Sequence, residues 1–118
     1  MKKLFVALAL GAVAGSAFAT DACTGTAGNA PTATDGAADG TKFVRVTFTA
    51  KCSANVLSKY TDQTTTFAVA AGSSKGKNTF IGNTAGGAVK PSGTPCSSSG
   101  CKDGEVGTAL TAAEALTT

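Results

Sequence analysis

Four cysteines, Cys23, Cys52, Cys96 and Cys101, are the residues best equipped for chemistry in this chain. Four thiolates can close a tetrahedral zinc site, but such sites draw their ligands from two tight knuckles of closely spaced cysteines. Here only Cys96 and Cys101 are close, so no metal is expected. A Cys-x-x-Cys redox pair is absent as well. An even number of cysteines in a small exported chain reads instead as a disulfide framework. Four cysteines allow three pairings. The run Ser97-Ser98-Ser99-Gly100 is small and flexible enough to curl back, which favours Cys96 with Cys101 and leaves Cys23 for Cys52.

The other reactive groups give little. The chain has no histidine, which removes the commonest general base and the commonest metal ligand. Triads built on Ser-His-Asp or Cys-His are therefore excluded. The carboxylates of the exported part are Asp21, Asp35, Asp39, Asp62, Asp103, Glu105 and Glu114. Most stand in turn-like surroundings, and even the close pair Asp103 and Glu105 reads as solvated turn carboxylates. The segment from Gly72 through Lys75 and Lys77 to Asn78 echoes a phosphate-binding loop. Its glycine spacing is one residue short, and Asn78 stands where the magnesium-holding hydroxyl belongs. With no tryptophan and the single tyrosine Tyr60, an aromatic platform for sugars or a hot-spot interface is not expected. The sequence reads as a protein without catalytic residues, metal or cofactor.

The compartment is written at the N-terminus. Lys2 and Lys3 precede the apolar run 4–14, and Ala17-Phe18-Ala19 forms a small-residue cleavage box. These are the three parts of a secretory signal peptide, so residues 1–19 are expected to be removed. The apolar run falls short of the ~20 residues a spanning helix needs, so no stable membrane insertion is expected afterwards. Of 118 residues, 99 then remain, enough for one modest domain. Without Lys2 and Lys3, 8 basic face 7 acidic side chains, which removes the electrostatic case for nucleic acid. A chain of this size is marginal on hydrophobic burial alone, and two disulfides suit it.

Around the first cysteine, residues 20–41 hold mainly Ala, Thr, Gly and Asp with one Pro and no large apolar side chain. This stretch reads as a flexible arm pinned only by Cys23. Residues 42–118 read as a single β-rich domain. Within 44–56 every even position is apolar, including Val44, Val46, Phe48, Ala50 and Cys52, and the odd positions between them are polar. Alternation of this length predicts a half-buried core strand with Cys52 inward. Residues 64–71 predict a second strand with Phe67, Val69 and Ala71 inward, and 77–81 a third that brings in Ile81. A fourth, short strand is expected near Val89. After it comes a disulfide-tied loop at 96–101. Toward the end, Thr111 and Glu114 have the spacing of a capping box, though a helical turn and a short edge strand both stay open for 110–116.

The expected fold is mainly β, a small antiparallel sheet of about 3–5 strands in a meander or sandwich-like arrangement, stabilised by disulfides. The expected role is an exported structural or cell-surface protein, in the manner of a subunit of an extracellular filament or coat. Its partner would be itself or another envelope protein, in the periplasm, at the cell surface or outside the cell. If a tail is donated to a neighbour, residues 106–116 are the better candidate. The alternative is a monomeric periplasmic or secreted binding or inhibitor module that presents the loop 96–101.

Overall fold

The computed structural model describes residues 19–31 and 33–116; of the expected leader, all but Ala19 lies outside them. The element order is β1 (Thr20–Thr24), β2 (Gly28–Asn29), β3 (Lys51–Cys52), β4 (Val56–Asp62), β5 (Phe67–Ser73), β6 (Asn78–Asn83), β7 (Lys90–Pro95) and α1 (Asp103–Glu114). Five strands form one antiparallel sheet in the order β1-β4-β5-β6-β7, and β2 pairs with β3. The described residues are therefore mainly β, with one helix laid over a meander.

Strand pairing sorts the side chains onto two faces, because neighbours in register share a face and successive residues alternate. Leu57, Lys59 and Thr61 of β4 stand beside Gly72, Ala70 and Ala68 of β5, and these beside Thr79, Ile81 and Asn83 of β6. Helix α1 covers this face. Val106, Ala109, Leu110 and Ala113 are buried against Ala68, Ala70 and Ile81, with Leu57 and Leu116 at the margin. Alanines on β5 hold the helix close to the strand, and large side chains there would push it away. This inverts the expectation for β5: Ala68, Ala70 and Gly72 are its buried residues, and Phe67, Val69 and Ala71 are half-buried on the other face.

Polar ties lock the helix down. Thr61 Oγ1 donates to the Glu114 carboxylate, and Asn83 Nδ2 donates to Ala113 O at 2.9 Å. Lys59, whose side chain is 13% exposed, pairs with Asp21 of β1 and at 3.0 Å with Asp103 of α1. One ammonium thus joins three elements, and the Asp21 and Asp103 carboxylates hold its pKa above the ordinary value against the opposing effect of burial. The open question of 110–116 is answered by a twelve-residue helix. It starts at Asp103, with Thr111 and Glu114 inside it. The capping carboxylate is Glu105, which accepts from Lys102 N at 2.7 Å. Of the segment 106–116, Val106, Ala109, Leu110 and Ala113 pack in the domain's own core, with Leu116 at its margin.

Both disulfides are formed, Cys23 with Cys52 and Cys96 with Cys101. The first does more than pin a loose arm. Thr20–Thr24 is a strand on the edge of the main sheet, hydrogen-bonded to β4 with an irregularity between Asp21 and Cys23. Main-chain pairing requires no large side chain, so the apolar poverty of this segment did not forbid it. The sulfur bridge holds the pairing in place.

Candidate interaction surface

The expected core strand 44–56 is the largest departure. Only its last part behaves as predicted: Cys52 is buried with Cys23 and Ala30, and Ala50 and Val56 pack against them. Upstream, the chain is the returning half of a hairpin that spans residues 28–52. Ala30 N donates to Ala50 O at 2.8 Å, Thr34 and Phe48 exchange both main-chain bonds, and Ala37 N donates to Val44 O at 2.9 Å. Gly36 permits the two halves to touch, since a Cβ there would lie 2.3 Å from the Val46 carbonyl carbon.

The hairpin is anchored at both ends of β4. Its base is the Cys23–Cys52 bridge. At its tip, Phe43 N donates to Gln63 O at 2.7 Å and to Asp62 Oδ1 at 2.9 Å, while Thr64 Oγ1 donates to Thr41 O. Between the anchors its large apolar side chains stay open to different degrees among the described residues. Val46 is 74% exposed, Phe48 48% and Phe43 42%, with Val44 half-buried. Val46 and Phe48 are therefore not core residues: the thin hairpin, mostly Thr, Ala and Gly on its outgoing half, supplies no second layer to bury them.

The second open apolar region is on the sheet face opposite α1. Register places Tyr60 beside Val69 and Gly82, and Ala71 beside Phe80, which is followed by Pro91. The β4 side of this face is closed: Tyr60 is buried and stacks on Phe67 with ring centroids 5.2 Å apart. Toward β7 it is open. Phe80 is 47% exposed and Val89 70%, and Val89 leans over Gly82, where a Cβ would meet its methyl at 3.2 Å. The result is a strip of Val69, Ala71, Phe80, Val89 and Pro91 without a charged member. A hollow of about 330 Å³ adjoins it, bordered by Val56, Ala71, Gly76, Lys77 and Phe80.

The sheet edges are poorer docking sites. Two of the six residues of β7, Pro91 and Pro95, have no N–H to offer an incoming strand. A groove of about 210 Å³ separates α1 from β7, lined by Thr79, Ser92, Thr94, Glu105 and Thr108. Its one carboxylate is committed, because Glu105 accepts from both Ser97 N and Lys102 N. Loop 96–101 is held as a fixed shape: Cys101 N donates to Ser73 O at 3.0 Å, and Gly100 takes a positive φ of 107° where its Cα faces Ser74 O.

The reactive groups singled out from sequence do not assemble into a centre. Asp103 pairs with Lys59 and Glu105 caps the helix. The segment resembling a phosphate loop is the β5–β6 turn, closed by Gly76 N donating to Ser73 O at 2.9 Å. Among the described residues no three potential metal ligands converge, and no helix is long and apolar enough to cross a membrane. Comparison with protein-family models, with curated proteins and with solved structures returned no match. Two disulfides in a small domain fit an oxidising compartment.

Proposed function

We propose that this chain is an exported structural protein that assembles with copies of itself at the cell surface, in the manner of a filament or coat subunit. The observation that carries this reading is the placement of five large apolar side chains, Phe43, Val46, Phe48, Phe80 and Val89, on the surface of a domain whose own core is built largely from alanine. Large apolar side chains left exposed in two groups on so small a domain mark places of contact. The leader-like N-terminus, the oxidised cysteines and the histidine-free composition agree with a passive role outside the cytoplasm.

Negative-stain electron microscopy together with light scattering on the mature oxidised protein, across a range of concentrations, tests it. Regular filaments or sheets are the expected result. A monomer at every concentration would refute self-assembly and favour the binding-module alternative, for which the fixed loop 96–101, with Ser98 and Ser99 exposed, is the natural epitope.

A further inference from the structure

The return half of the hairpin carries the alternation of a strand with one buried face, yet among the described residues Val46 on that face is largely exposed and Phe48 about half exposed. Apolar alternation at period two over this length is what a covered strand carries, so the missing cover is looked for outside the molecule. The sheet strip of Val69, Ala71, Phe80, Val89 and Pro91 is a second apolar surface with no cover of its own.

We propose that the two surfaces meet between molecules: the hairpin of one copy lies on the β5–β7 strip of the next. This rests on the self-assembly reading above and names its contact. Chemistry favours a second copy as the occupant. Both surfaces are apolar and lack charge along their contact lines, and each is a ribbon a few strands wide. The prolines of β7 discourage the competing edge-to-edge pairing.

Size agrees. An aromatic residue offers roughly 200 Å², so Val46 and Phe48 leave about 200 Å² of apolar surface open, and Phe80 with Val89 about as much again. The half-buried Val44, Val69 and Ala71, with Pro91, bring the total to roughly 600 Å². At the ~60% apolar share usual for an interface, that corresponds to about 1,000 Å² of contact, the size a specific interface has to reach.

Because the two surfaces differ, the contact is head-to-tail. Each molecule that uses its hairpin still has a free strip, so the contact repeats into an open chain unless the rotation closes a ring. Assembly then needs no strand exchange and no rearrangement of the core.

Complementation tests this directly. A hairpin variant, Val46→Asp with Phe48→Asp, and a strip variant, Phe80→Asp with Val89→Asp, change only exposed positions, and circular dichroism and Tm check that both fold. Each alone should raise the concentration needed for assembly at least about tenfold. Mixed in equal amounts, they should form a 1:1 heterodimer and grow no further, because one intact hairpin meets one intact strip. Light scattering coupled to size-exclusion chromatography reads this out. Folded variants that assemble like the parent overturn the proposed contact while leaving self-assembly standing. So does a mixture that stays monomeric. A parent chain that never assembles overturns both. If the hairpin variant fails to fold, Val46→Asp alone, at the most exposed position of that face, replaces it under the same criteria.

Discussion

Glu105 clamps Ser97: its Oε1 accepts the Ser97 N–H at 2.7 Å while Oε2 accepts that of Lys102 at the same distance. One carboxylate therefore caps α1 and fixes the disulfide loop that leads into it. Glu105→Gln keeps a single acceptor oxygen and should cost about 1 kcal/mol, whereas Glu105→Ala abandons both N–H groups and should cost about 2 kcal/mol. Urea unfolding measures the difference. Amide exchange at Ser97 and Lys102 should quicken in the alanine variant, and unchanged exchange would show that the clamp contributes nothing.

The Lys59 junction makes stability depend on pH at the alkaline end. Its pKa is raised in the folded protein, first by the Asp21 carboxylate and then by Asp103. A raised folded pKa means that the contribution is complete below the ordinary value of 10.5 and is lost as pH climbs through the folded value. Lys59→Met should lower stability by about 1 kcal/mol near neutrality. The gap between variant and parent should close above pH 10.5; a constant gap would show that the effect is packing of the stem. Asp39 behaves in the opposite sense. Thr41 N–H and Oγ1–H hold its carboxyl below the usual range. Its contribution is present above the ordinary 3.8 and fades as pH falls through the lowered value. Thr41→Val should move the Asp39 resonance to titrate at higher pH.

Strand content, antiparallel meander and cysteine partners were legible because each is a local property: Gly-rich turns, short apolar runs, and a four-residue span between Cys96 and Cys101. What was not legible depends on which face finds a cover. For β5 the sequence offers apolar side chains on both faces, and size decided: the alanine face admits α1, while Phe67 and Val69 went to the open side. Strand β4 escaped notice because Leu57, Lys59 and Thr61 face the helix yet do not alternate in polarity with their neighbours. The helix was obscured by Gly104 and Gly107, poor helix formers that tertiary packing overrides. The hairpin departs from the expected core strand because alternation marks a face suited to burial without supplying the layer that would cover it.

Side-chain placement therefore predicts an asymmetry between Ile81 and Val46 that the bare alternation does not. Ile81→Asp puts a charge beneath α1 and should unfold the domain, a loss beyond about 4 kcal/mol. Ala70→Leu overpacks the same spot and should cost about 1–3 kcal/mol. Val46→Asp should change monomer stability by about 0.5 kcal/mol or less, as exposed positions do. Thermal denaturation in dilute solution, where assembly is absent, ranks the three. Equal damage at Ile81 and Val46 would mean that the hairpin is packed in solution.

The two disulfides should differ in worth according to what they close. Cys23–Cys52 spans 29 positions and Cys96–Cys101 spans 5. Loop-closure entropy gives about 3.5 kcal/mol for the longer loop and about 2 kcal/mol for the shorter. Structure widens the gap. The long bridge ties edge strand β1 to the base of the hairpin, and the segment it holds has few apolar side chains of its own. The short loop keeps further support from Glu105 and from the Cys101 N–H on Ser73 O. Paired serine replacements, Cys23→Ser with Cys52→Ser against Cys96→Ser with Cys101→Ser, should therefore give the larger fall in Tm for the first pair. That pair should also speed amide exchange selectively in β1 and the hairpin while α1 stays protected. Exchange spreading evenly through the sheet would instead make β1 part of the central cooperative unit, and the hairpin would then unfold only with the domain.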